Sequence, residues 1–330
     1  MLPFLLILAL FTFLTVVGQA VIALLRPRLG VLWSWFLSPA AGLAILIVLT
    51  TRLNIWGLPV KTFGPWLAVG LLAASVAILW WRRPAFPWRQ LRPFALLALL
   101  FVVYAGWPMF RFGFDWISYG NDDMANYCLA ADRFLQHGYY DLPQQTELEG
   151  RDYSQHYWYM HALQQIRPGS ELVLAFASSV TGLNPHEVFM PVIIMFSMIQ
   201  IGAMGGVAMF RGRYRKVALL AFLLFATSPL FGLGTLYQLI AQQGGIAILL
   251  ASCAVLLNTR ECTWRRILLA ALFTTCLGIF YPEVAPFVAI SIILYWLHLR
   301  YTEPTAIKRF SLVVLGAAVL TFVFLGTSTY

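Results

Sequence analysis

Ten apolar runs, each about 15–25 residues long, set the limits on what this chain can fold into. They lie at about 3–25, 30–50, 63–81, 93–110, 186–210, 217–232, 236–258, 266–281, 285–299 and 310–328. Inside a bilayer each backbone N–H and C=O must find its partner within the protein, so only helices or closed barrels can cross. These runs are too long and too evenly apolar for barrel strands. The expected fold is therefore all-α: a polytopic membrane protein of about ten transmembrane helices. A 61% hydrophobic composition with only 11% charged residues excludes an ordinary soluble domain.

The charges sort by side. Five short loops, Arg26–Arg28, Arg82–Arg92, Arg211–Lys216, Arg260–Arg266 and Arg300–Arg309, carry 16 of the 22 Lys and Arg residues, but only Glu261 and Glu303 of the 13 acids. The positive-inside rule makes these loops cytoplasmic and puts Met1 and Tyr330 outside a cytoplasmic (inner) membrane. The net charge of +9 then reads as loop charge, not as a nucleic-acid surface. Leu2–Leu25 is expected to span and not to be cleaved as a signal, because its basic residues Arg26 and Arg28 follow it. Cys128, Cys253, Cys262 and Cys276 have no metal-ligand spacing. Ser170–Gly182 is apolar, but letting it cross would place Arg211–Lys216 outside. It is expected to lie as a helix at the outer interface, ended by Asn184-Pro185.

Residues 111–187 form the one long hydrophilic segment, with ten acids, four arginines, four of the five histidines and many aromatics. A loop of this length and composition is a candidate site. Within it, Asn121-Asp122-Asp123 suits a helix start: an Asn cap followed by acids that complement the helix dipole. Met124, Cys128, Ala131 and Leu135 then share one face. Capping accounts for one acid; a second beside it, at a membrane surface, points to chemistry.

An acidic pair opening an outer loop after a core helix, followed by Tyr127, Ala130-Ala131, Phe134-Leu135 and His137-Gly138, resembles the GT-C class of membrane glycosyltransferases. The later stretch "IRPGSELVLAFASSVTGLNPHEVF" is similar to the class's proline-containing turn and short juxtamembrane helix. On this resemblance residues 93–330 would be a seven-helix module including the loop 111–187, and residues 1–92 three additional helices. The resemblance implies transfer of a sugar from a polyprenyl-phosphate donor to a glycan, lipid or protein acceptor on the outer membrane face. Asp122 or Asp123 would be the general base, Asp122 being favoured as the first of the pair. Physical chemistry agrees, since an acceptor hydroxyl attacks an anomeric carbon better when a carboxylate removes its proton. The pair could also hold a divalent cation, the only cofactor the sequence leaves open.

Around this pair stand further candidates for substrate binding. Arg167, before Pro168, suits a phosphate through its planar guanidinium; Arg133 and Arg151 equally suit solvated arginines paired with loop acids. His156 and His161, among aromatics, and Tyr127 could meet phosphate or sugar hydroxyls. Gln238 and Gln242 are expected on one helix face, lining a cavity or bonding a neighbouring helix. Glu283, in "FYPEVAPF", is an isolated acid at membrane depth, which marks a functional candidate. The alternative function is a transporter or flippase for a lipid-linked sugar, which would favour repeated halves and polar residues near the midplane.

Overall fold

A computed structural model of the chain describes residues 1–27, 30–118, 122–164, 166–209, 215–258 and 262–326, without the side chains of Asp122, Leu230 and Phe231. The expected cap Asn121, the loop residues Arg28, Tyr119, Arg211, Arg213, Arg260 and Glu261, and Tyr330 lie outside the described residues, as does the Asp122 side chain. The described chain is helical, with no strand. In order the helices are α1 (Leu2–Leu25), α2 (Val31–Ile55), α3 (Val60–Arg82), α4 (Trp88–Phe112), α5 (Asp122–Gln136), α6 (Gln145–Leu148) and α7 (Gly169–Thr181). They continue as α8 (Pro185–Ala208), α9 (Arg215–Ala226), α10 (Pro229–Leu236), α11 (Ile240–Leu256), α12 (Trp264–Phe280), α13 (Ala285–Thr302) and α14 (Pro304–Gly326).

Among the described residues seven helices, α1–α4, α8, α13 and α14, are long and apolar enough to cross a membrane. This is an all-helical, multi-pass membrane protein. The other three expected spans form shorter helices. The run at 217–232 breaks into α9 and α10, because Pro229 has no N–H to continue a helix and begins the next one instead. The runs at 236–258 and 266–281 shorten to the 17-residue helices α11 and α12.

α8 and α2 are the innermost spans; α3, α13 and α14 leave apolar side chains such as Trp66, Phe287 and Phe322 facing outward, where lipid would cover them. α1 and α2 cross closely, since a Cβ on Gly42 would stand 1.9 Å from the Leu14 carbonyl oxygen. Glycine lets the two backbones meet where lipid offers no hydrophobic drive for association. One apolar core runs from Ile7 in α1 to Ala317 in α14, so the first three helices share it with the rest of the chain.

The segment expected at the interface differs most. α7 is buried along nearly its whole length, with Leu172, Leu174 and Ala175 fully enclosed, and it packs among α2, α3, α5 and α8. Its apolar residues occupy every face, so no side is fitted to stay in water. It ends where Gly182 takes φ 74°, and Pro185 then starts α8 behind a reciprocal Asn184–Glu187 cap.

Candidate functional site

α5 forms where expected, but its buried face is turned from the predicted one: Met124 and Ala131 are buried together with Ala130 and Phe134, while Cys128 and Leu135 are half-buried. It carries Asp122 and Asp123 in its first turn and presents Tyr127 one turn later. The Tyr127 hydroxyl accepts a hydrogen bond from Nη2 of Arg167 at 3.4 Å. Nη1 of Arg167 is ion-paired with Glu283 Oε1, and the guanidinium lies 4.9 Å from the centre of the Tyr281 ring, a cation–π distance. Three residues singled out in the sequence, more than 150 positions apart at their extremes, thus meet at one point. Asp123 stands within electrostatic reach of the same tyrosine.

The meeting depends on a close approach. A Cβ on Gly169 would fall 2.6 Å from the Phe280 Cα, so only glycine lets the Arg167-Pro168 turn rest on the end of α12, next to Tyr281.

Sequence reading passed over one member. Glu171, in the first turn of α7, is buried and accepts a hydrogen bond from the Ser170 hydroxyl at 2.9 Å. Burial pushes its carboxyl up to about 7, against the pull of its own backbone, of Ser170 and of the Arg167 charge. Burial also raises the Tyr127 hydroxyl, with Glu171 and Asp123 adding to the effect and Arg167 opposing it. The signal was present: an acid inside an otherwise apolar run, the same criterion that singled out Glu283.

His161 belongs to a neighbouring cluster. It sits in a π-helical turn, Tyr159–Leu163, with its ring 4.9 Å from Phe134 and 6.4 Å from Tyr157, whose hydroxyl donates to Asn126 of α5. Its Nδ1 lies 3.0 Å from the Ile166 carbonyl, which can only accept, so Nδ1 carries the proton. Nε2 is buried with no hydrogen-bond partner among the described residues. Burial drives the imidazole down from 6.5 to about 4, so the ring is neutral at pH 7.

A prediction follows from the direction of these shifts. The folded value of His161 lies below its ordinary one, so its contribution to stability is complete above pH 6.5 and is lost as pH falls through about 4. Glu171 acts in the opposite sense: its contribution is complete below pH 4.5 and is lost as pH rises through about 7. In a Glu171→Gln background, the unfolding temperature should therefore drop between pH 6.5 and pH 4. Adding His161→Phe, which keeps the ring packing, should flatten that drop. An unchanged slope would show that this histidine is not held neutral.

The remaining candidates stand apart. Gln238 does not share a helix face with Gln242: it lies in the turn between α10 and α11 with φ 61°, while Gln242 is half-buried in the first turn of α11. The buried Gln238 amide donates to Met124 Sδ at 3.3 Å, so it borders the start of α5. His156 is exposed, with its ring 6.2 Å from that of Tyr153. Arg151 is exposed, whereas Arg133 is buried. Among the described residues no group of three or more His, Cys, Asp or Glu side chains is arranged to hold a metal ion.

A groove of about 820 Å³ runs between α4 and α9–α10, lined by apolar residues including Phe101, Tyr104, Trp107, Leu223 and Leu236. One end is tied to the site region: the Leu236 carbonyl accepts from Ser118, and Gln238, two residues on, touches Met124. Compared with known proteins, the chain matches no family model, no curated protein and no solved structure.

Proposed function

We propose that this protein is a membrane glycosyltransferase that moves a sugar from a polyprenyl-phosphate donor to an acceptor hydroxyl at the outer membrane face. The observation that carries this reading is the convergence of Tyr127, Arg167 and Glu283 beside the acidic start of α5. A carboxylate base and a guanidinium for a phosphate are the two groups the reaction needs, and this region carries both residue types. Asp122 or Asp123 takes the proton of the acceptor hydroxyl as its oxygen bonds to the anomeric carbon. The anomeric C–O bond breaks, the electron pair leaves with the polyprenyl phosphate, and Arg167 balances the charge that develops there. The apolar groove beside α4 suits the donor's hydrocarbon tail.

The test is transfer of radiolabelled sugar from a lipid-linked donor in membranes containing the protein. A new glycosidic bond, absent from control membranes, supports the reading; translocation of the intact lipid-linked sugar without one would establish the transporter instead. Arg167→Ala should weaken donor affinity by roughly ten- to a hundredfold, the loss of about 1.5–3 kcal/mol expected for a charge-assisted contact. The same donor concentration dependence in the variant would remove Arg167 from the phosphate role.

A further inference from the structure

Arg167 pairs with the Glu283 carboxylate and stands within electrostatic reach of a second, Glu171. Glu171 is buried in α7 and fastened to Ser170, so it has no route away. Glu283 is 49% exposed and sits on a three-residue turn, Pro282–Val284, that joins α12 to α13. α13 packs chiefly against α14 and exposes most of its surface; within the turn only Val284 is buried, so Pro282 and Glu283 lie outside the core. The guanidinium is also incompletely used. Nη1 meets Glu283, Nη2 reaches Tyr127 only at 3.4 Å, and Nε is buried with no partner among the described residues.

We propose that Glu283 is an exchangeable gate on the Arg167 anion site: a phosphate monoester or diester displaces its carboxylate, and the Pro282–Val284 turn carries that carboxylate away. The proposal rests on the reading of Arg167 as the phosphate-holding residue. A phosphate offers more acceptor oxygens than the single carboxylate oxygen now on Nη1, so the exchange leaves the guanidinium better satisfied. Once the phosphate is seated, two anions on one cation repel each other, which favours outward movement of the half-exposed one. Glu171, buried and hydrogen-bonded to Ser170, does not move with it. The empty site is thereby closed to weak anions, and opening it is coupled to movement of the α12–α13 turn.

The experiment titrates purified protein with geranylgeranyl monophosphate, using geranylgeraniol as the uncharged control. Glu283→Gln and Glu283→Ala should each bind the phosphate about three- to tenfold more tightly than the wild type, a modest gain because a half-exposed pair is screened by solvent. The gain should be absent with the alcohol and absent in an Arg167→Ala background. Unchanged or weaker phosphate binding in both Glu283 variants overturns the gate, as does wild-type affinity in Arg167→Ala. Sugar transfer is scored separately. Tighter binding in a protein that never forms a glycosidic bond keeps the gate and removes the transferase. Normal transfer with unaltered phosphate affinity in the Glu283 variants does the reverse.

Discussion

On the proposed reading, in which one aspartate of the Asp122–Asp123 pair is the base, asparagine at that position is expected to slow sugar transfer by about a hundred- to ten-thousandfold, the usual contribution of a positioned general base. Asparagine keeps the size of the side chain and most of its ability to stabilise a helix start, while removing the proton acceptor. A purely structural role would cost only about 0.3–1 kcal/mol through the helix dipole and leave turnover near normal. The two roles therefore separate when Asp122→Asn and Asp123→Asn are purified, shown to melt near the wild type, and assayed. The resemblance to GT-C enzymes favours Asp122, the first of the pair. Asp123 has its own claim, because its charge reaches Tyr127, the residue that meets Arg167. Near-normal turnover in both folded variants would reduce the pair to a helix cap and send the search for the base to Asp115 or Glu283.

The parts of this protein that were legible in its sequence are those where one property of a residue suffices. Apolar length marked the positions of the spanning helices, and period-3.6 spacing marked α5. Chemical oddness, a charge where charge is costly, marked Arg167 and Glu283, which the fold brings together. Where the outcome depends on neighbours, the sequence was silent. The runs at 217–232 and 236–258 each read as apolar throughout, so neither the break at Pro229 nor the left-handed turn at Gln238 shows in their hydropathy. α7 has the composition of a helix at home in lipid or in a protein core, and only the packing of α2, α3, α5 and α8 around it decides between them. Glu171 was overlooked because it was counted with the acids of a hydrophilic loop, although its own surroundings are apolar. The same habit misplaced Arg133, which reads as one more solvated loop charge.

Arg133 supplies the second large effect. Its side chain is only 1% exposed, near the C-terminal end of α5, where it donates to Gln155 Oε1 at 2.6 Å and to the Asp141 carbonyl. Burial lowers its pKa, and Asp141, Glu147 and Asp152 pull the other way, keeping the charged form in place. Arg133→Ala would leave both acceptors without a donor and open a cavity the length of the lost side chain. Leaving a buried acceptor without its donor typically costs about 1–3 kcal/mol, and the lost packing adds to it. Denaturant unfolding should show that loss, and sugar transfer should fall with it, because the loop holding α5 against the rest of the site comes loose. Arg133→Lys should recover only part, since a single ammonium group cannot reproduce a fork that reaches two acceptors. Arg151→Ala, at an exposed position in the same loop, should stay within about 0.5 kcal/mol of the wild type. This pattern differs from that of the aspartates, where activity falls while stability holds. Were Arg133→Ala to unfold like the wild type, the arginine would be solvated after all, and the packing of Gln155 and Asp141 against α5 would have to be redrawn.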